Sequence, residues 1–253
     1  VRARQVTKFF GQKSERVHAL DDVSIEVFPG ELAAVIGASG CGKSTLLNVI
    51  AGLDAPDRGS VELNGVDVTG QAGLFGYMPQ KDLLMPWRTV LDNTILGLEL
   101  TGIPKKEARL EAMRWFPRFG LEGFEHQYPA ALSGGMRQRA ALLRTFLTGR
   151  EVLLLDEPFG ALDAMTRSEM QEWLLDIRRS FSRTVLLVTH DVDEALYLAD
   201  RVYVMSPRPG TIRAEIEVSI DRRDSYEEAV TSDAFVALKR RLLAALHGMG
   251  GMP

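Results

Sequence analysis

Residues with the types and spacing for chemistry concentrate in three places. The first is Gly37-Ala38-Ser39-Gly40-Cys41-Gly42-Lys43-Ser44, followed by Thr45, which fits G-x-x-x-x-G-K-[ST]. In such a loop the glycines let the backbone curl until successive N–H groups face one anion. Lys43 then meets the β- and γ-phosphates of a nucleotide, and the Ser44 hydroxyl ligates magnesium. The second place is Asp156-Glu157, two adjacent carboxylates closing the run Leu153-Leu154-Leu155. Alone they would simply end a strand and cap a helix. Beside a phosphate loop, Asp156 is placed to support magnesium and Glu157 to polarise an attacking water. The third is Leu132-Ser133-Gly134-Gly135-Met136, where Ser133 is a good N-cap and two glycines leave a helix N-terminus bare toward an anion. Its plainer reading is an ordinary helix start with a flexible approach.

These residues need particular elements to position them. Leu32 to Ile36 reads as a buried strand entering the loop, and Ser44 to Ala51 as the first turns of a helix leaving it. Val23, Ile25 and Val27 alternate with polar residues before Pro29-Gly30, and Val61 and Leu63 do so before Asn64-Gly65. Both predict an antiparallel layer around the loop strand. From Val90 to Leu147 the pattern turns helical: Leu91, Ile95 and Leu98, then Leu110, Met113 and Phe116, an inserted lobe punctuated by prolines. Residues 151–156 and 184–189 are near-continuous aliphatic runs, as expected of parallel strands buried on both faces, with a helix over about 166–179 between them. Val202 to Met205 and Ile212 to Val218 predict a hairpin across Pro207-Arg208-Pro209-Gly210. Phe235, Leu238, Leu242 and Leu246 predict a packed terminal helix, with fraying at Gly248 to Gly251.

The 253 residues carry a net charge of −4, which points away from a sequence-independent nucleic-acid binder. The single cysteine excludes an internal disulfide framework. It is Cys41, inside the phosphate loop, where it is expected to be a small filler rather than a redox switch. No signal pattern opens the chain and no apolar run approaches the ~18 residues needed to span a bilayer. A soluble, cytosolic, nucleotide-binding chain is expected; the start at Val1 rather than Met leaves the native N-terminus open. His18, His126 and His247 have no partner cluster and are expected on surfaces or in loops. Arg137, Arg139 and Arg144 read as a solvated helix face.

Taken together, the three motifs resemble the ATP-binding-cassette (ABC) ATPase family, from about Val6 to about residue 220. The resemblance implies an α/β fold: a P-loop NTPase with a RecA-like parallel-sheet core, an antiparallel β subdomain and an inserted α-helical subdomain. Residues 1–85 and 150–220 would be core and β subdomain, 86–149 the helical subdomain, and 221–253 a short helical tail. Residues 132–136 resemble the family signature, with Met136 in place of its final glutamine. Gln80 matches the Q-loop glutamine that contacts magnesium and water, Asp163 the D-loop, and His190 the switch histidine near the γ-phosphate. Val6 to Gly11 resembles the segment whose aromatic stacks on adenine; Phe10 is chosen, with Phe9 the alternative.

The resemblance further implies ATP and Mg²⁺ as cofactors and a head-to-tail, ATP-dependent dimer. In it, nucleotide on residues 37–45 of one copy is capped by Ser133, Gly134 and Gly135 of the other. It places the chain peripherally on the cytoplasmic face of the cell membrane, energising an integral membrane permease that works with an extracytoplasmic solute-binding protein; nucleic acid is not an expected partner. Leu83, Leu84 and Trp87, after Gln80, either pack the lobe or receive that permease. The wording around Trp87 and Ser206-Pro207-Arg208-Pro209-Gly210 resembles importer ATPases of the nitrate, sulfonate and taurine group, which includes thiamine-precursor importers. Which solute is carried stays open. The competing class is a soluble ABC ATPase serving as an assembly factor, as in iron–sulfur assembly.

Overall fold

The aliphatic runs expected to be buried on both faces form the middle of a six-stranded sheet. The computed structural model of the chain describes residues 1–11, 16–220 and 226–248. The strands of this sheet are β3 (Leu32–Ile36), β6 (Gly76–Met78), β7 (Val152–Asp156), β8 (Thr184–Thr189), β9 (Arg201–Met205) and β10 (Ile212–Glu217). Their order is β10-β9-β3-β8-β7-β6, parallel throughout except for the antiparallel edge strand β10. Side chains alternate across the sheet. Leu32, Ala34 and Ile36 of β3 therefore enter one apolar core, while Ala33 and Val35 enter the other. Strands β7 and β8 divide in the same way, Leu153 and Leu187 to the first core and Leu154 and Leu186 to the second. At about 1.5–3 kcal/mol for each aliphatic side chain fully withdrawn from water, these strands anchor the fold.

The second sheet is antiparallel, with order β2-β1-β4-β5 from β1 (Arg2–Phe10), β2 (Val17–Glu26), β4 (Arg58–Leu63) and β5 (Val66–Asp67). Register shifts near Ala3, Val6 and Lys8 bend its first pair. Between the sheets lies the core that also takes Leu46, Leu47 and Ile50 of α1 (Lys43–Ile50) and the buried Cys41. Cys41 is thus a filler of the loop's floor.

The helical stretch is more broken than its periodicity suggests. It runs as α2 (Val90–Thr94), α3 (Leu96–Leu100), α4 (Lys105–Met113), an irregular stretch, and then α5 (Gly134–Phe146). The expected apolar face of α4 is also corrected. Leu110 and Met113 are exposed, and the helix buries Ala108 and Ala112 instead, with Phe116 beyond its end. Small side chains allow the close approach to α2, and Lys105 and Arg109 on that side pair with Asp92 at 2.9 and 2.8 Å.

Between β7 and β8, α6 (Ala164–Phe181) is capped by Asp163, and α7 (Val192–Leu198) follows β8. Helices α8 (Tyr226–Thr231) and α9 (Asp233–His247) close the described chain. Phe235 and Leu242 are buried against α7, β9 and β10, so α9 packs on the core as expected. Residues 249–251 of the expected frayed end lie outside the described residues. No described helix is long and apolar enough to cross a membrane.

Candidate functional site

Parallel strands bring their carboxyl ends to one edge of the sheet, and there the predicted residues meet. The loop of residues 37–45 follows β3. Gly42 sits at φ +114°, and a Cβ there would lie 2.8 Å from Leu20 Cδ2 and 3.0 Å from Ala19 O, so the turn requires glycine. It leads directly into α1, whose first turn has no acidic residue and no side-chain cap. Its first-turn N–H groups, left without a side-chain acceptor, suit this end of the helix to an anion. Lys43 is 6% exposed and donates to Gly37 O at 2.8 Å and Ala38 O at 3.1 Å. Its third proton faces only the weak acceptor Cys41 Sγ, at 3.9 Å, a contact that a phosphate oxygen would outcompete.

Strand β7 delivers Asp156 and Glu157. Asp156 is 3% exposed, and burial pushes its carboxyl above the ordinary range; the Glu157 charge adds to this, while a hydrogen bond from Ser44 and the charge of Lys43 oppose it. A buried carboxylate beside a second one is short of positive charge. With the Ser44 hydroxyl and the Gln80 amide it offers oxygen donors of the kind magnesium prefers. Among the described residues no group of three or more His, Cys, Asp or Glu side chains could hold a metal on its own, so phosphate oxygens would have to complete the set.

Glu157 adopts φ +48°, a left-handed conformation costing a non-glycine residue about 1–3 kcal/mol. The backbone around it offsets this: Glu157 N donates to Val188 O at 2.8 Å, and Gln138 Nε2 donates to Glu157 O at 3.4 Å. The twist holds its carboxylate between two predicted partners. Gln80, just past β6, donates from Nε2 to Glu157 Oε2 at 3.0 Å. His190, just past β8, places Nδ1 3.3 Å from Glu157 Oε1. Since β6 and β8 flank β7, strand order alone brings these three together.

Gln80, Glu157, Lys43, Ser44 and Thr45 line one pocket of about 240 Å³ with Ser39, Gly40, Gly42, Phe10, Val17, Ala19 and Arg208. Phe9 faces elsewhere: it stacks on His18 with centroids 4.2 Å apart, and the Arg16 guanidinium lies 4.0 Å from its centroid. His18 is thus a strand residue with an aromatic partner, rather than a loop histidine. His126 is exposed in a turn, and the side chain of His247 lies outside the described residues.

The structure does not bring the remaining predicted residues into this pocket. Ser133 caps α5 by accepting from Met136 N at 3.2 Å, with Gly134 and Gly135 opening the helix. Met136 packs against the helical core, so its position is filled by apolar contact. Asp163 caps α6, accepting from Thr166 N at 3.0 Å, and that bond holds its carboxyl below the usual range.

The arginines of α5 are not a solvated face. Arg137 donates to Asp82 Oδ2 at 3.2 Å and to Leu132 O at 2.7 Å. Arg144 donates to Asp82 O at 2.6 Å and Leu83 O at 2.8 Å. They tie α5 to the segment after Gln80. There Leu84 is buried in the core, while Leu83 and Trp87 are 60% and 73% exposed. Sequence reasoning missed Gln138 and Arg208 as neighbours of the site; the second carried a signal in its proline- and glycine-rich turn.

Comparison with known proteins agrees with this geometry. The family model described as ABC transporter matches residues 20–160. A taurine import ATP-binding protein of Yersinia pestis is 43% identical over 89% of this chain and 90% of its own length. A formylaminopyrimidine import ATP-binding protein of Halalkalibacterium halodurans is 47% identical over 82% of this chain and 81% of its own. A solved dimeric ATP-binding cassette, in a post-hydrolysis state bound to ADP and Pi, has TM-score 0.77 and 29% identity, covering 86% of this chain and 98% of that one. The chain belongs to the ABC transporter family, and its fold is that of the family's ATPase cassette.

Proposed function

We propose that this chain is the ATP-hydrolysing subunit of an importer, energising uptake of a small solute of the nitrate, sulfonate, taurine or thiamine-precursor type through a separate membrane permease. The observation that carries the ATPase reading is the meeting of Gln80, Glu157 and His190 beside the pocket of Lys43 and Ser44. The import relatives support the transport reading. In this reading residues 1–85 and 150–220 are core and β layer, 86–149 the helical subdomain, and 221–253 the tail.

The residues divide the work as follows. The N–H groups of residues 37–45 and the Lys43 ammonium hold the phosphates of ATP. Phe10 offers its ring to adenine, since Phe9 is engaged with His18 and Arg16. Ser44, Asp156 and Gln80 would hold Mg²⁺, which when bound neutralises charge on the phosphate oxygens. Glu157 accepts a proton from the attacking water, and its position between Gln80 and His190 orients it before ATP arrives. Ser133, Gly134 and Gly135 present the N-terminus of α5 outward, and Asp163 stands at an exposed cap. Both are proposed to act on the nucleotide of a second, head-to-tail copy. ATP then bridges the dimer and hydrolysis releases it. The solved dimeric cassettes support this arrangement. Leu83 and Trp87 are the proposed contact with the permease on the cytoplasmic face of the membrane. An extracytoplasmic solute-binding protein belongs to the same proposal.

The test is the ATPase rate of the purified chain as a function of its concentration. Specific activity should rise steeply as copies pair; activity strictly linear down to very dilute samples would overturn the shared site. Co-purification from detergent-solubilised membranes should bring a permease with the chain. Recovery with a soluble assembly scaffold instead would favour the assembly-factor class.

A further inference from the structure

Of the five parallel strands, β3, β8, β7 and β6 each deliver proposed site residues from their carboxyl ends. The fifth, β9, ends at Met205 and turns through residues 206–211. That turn is built firmly. Ser206 is 3% exposed, with its hydroxyl 2.9 Å from Pro207 O and 3.0 Å from Pro209 O, and it accepts from Thr211 N at 2.8 Å. Gly210 is stitched to β2, donating to Ala19 O at 3.0 Å and accepting from Asp21 N at 2.9 Å. A Cβ on Gly210 would lie 2.3 Å from Cys41 O, so the turn is pressed against the phosphate loop and only glycine permits the approach.

Arg208 stands at the tip of this turn, on the wall of the pocket that holds Phe10, Gly40 and Lys43. Its Nη2 donates to Gly40 O at 3.1 Å. No carboxylate pairs with it among the described residues, whereas Arg137, Arg167, Arg178 and Arg201 all have such partners. A guanidinium has five donors in a planar fork matched to phosphate, and Gly40 uses one. The turn therefore holds a cation, with no carboxylate partner among the described residues, against the loop proposed to receive polyphosphate.

We propose that Arg208 is a nucleotide-binding residue, gripping the polyphosphate of ATP or ADP from the β9 side while Lys43 grips it from within the loop. This rests on reading the pocket as the ATP site, and the test separates the two. Calorimetric titration with MgATP and MgADP, at protein concentrations where the chain is monomeric, should show R208A binding both about tenfold more weakly. R208K should recover part of the loss, since it keeps the charge but not the fork, and the deficit should shrink as salt is raised. K43A is the control. If K43A weakens binding and R208A does not, the inference falls and the ATP site stands; if neither weakens it, both fall. Normal nucleotide affinity in R208A with loss of the concentration-dependent ATPase rate would assign Arg208 to the second copy instead and overturn the proposal. Melting curves check the fold, and if R208A fails to fold, R208Q carries the same titration.

Discussion

The two ends of the proposed site are built in opposite ways. At the phosphate-loop end, strand ends converge, and the polar groups are buried or answer one another: Lys43 to loop carbonyls, Asp156 to Ser44, Glu157 to Gln80 and His190. At the signature end, Ser133 bonds within its own helix turn, and the two glycines after it present backbone. On the proposed function, one end holds a ligand and the other is offered to one held elsewhere. A chain folded alone would then assemble the binding half of a site while leaving the closing half open.

The largest effect that would test this contrast is at Glu157. Glu157→Gln should lower kcat by roughly 10²–10⁴-fold while leaving ATP affinity intact. An ATP-dependent dimer should then accumulate in light scattering, and near-normal turnover would remove Glu157 from its proposed role.

Burial at the same end also stores a pH-dependent cost. Glu194 in α7 is pushed up to about 7 by burial, against hydrogen bonds from Thr189 and Gln171 and with Asp191 and Arg167 nearby. Its Oε1 has no hydrogen-bond partner among the described residues. Between the ordinary value of 4.5 and about 7 the unfolded chain binds fewer protons than the folded one, so stability falls as pH rises through that window. Glu194→Gln cannot ionise. It should gain up to about 3 kcal/mol over the parent above pH 7 and nothing below 4.5, read by denaturant melts across pH. An equal change at both pH values would mean that Glu194 does not titrate there.

Lys43→Ala should weaken ATP binding by a factor of about 10–100, since it removes a charge-assisted contact. Unchanged affinity would break the assignment of the holding end.

Smaller in binding terms, and sharper for the contrast, is Gly134→Asp. A Cβ there meets only Arg137 Nη2, at 3.8 Å, and an acid in the first turn of a helix favours the helix, so the melting temperature should not fall. Dilute protein should bind ATP normally, yet the rise of specific activity with concentration should drop about tenfold or more. If ATP affinity of the dilute protein fell in parallel, the two ends would belong to one pocket within the chain.

Much of the holding end was legible in the sequence because its signals are local. The glycine spacing in residues 37–42, the two-face burial of β7 and β8, and the carboxylates at the end of β7 follow from adjacent residues. What escaped depends on how far long side chains reach. Arg137 and Arg144 look like a charged helix face until the Asp82 carboxylate is seen beneath the first and the carbonyls of residues 82 and 83 beneath the second. Counting large apolar residues favoured Leu110 and Met113 in α4, whereas close packing selected Ala108 and Ala112. That Phe9 is engaged by His18 follows only from the pairing of β1 with β2, which no local pattern displays.

The bonds from Arg137 and Arg144 carry a mechanical consequence. The helix that begins at Ser133 and the segment that runs from Gln80 to Trp87 are coupled like the two arms of a crank. Pulling them apart would cost several hydrogen bonds of roughly 1–2 kcal/mol each, so displacing one arm carries the other with it. The stroke should therefore be conserved: the distance between probes at Ser133 and Trp87 should stay constant between nucleotide-free and ATP-bound protein. A spread of several ångströms would show that the crank slips.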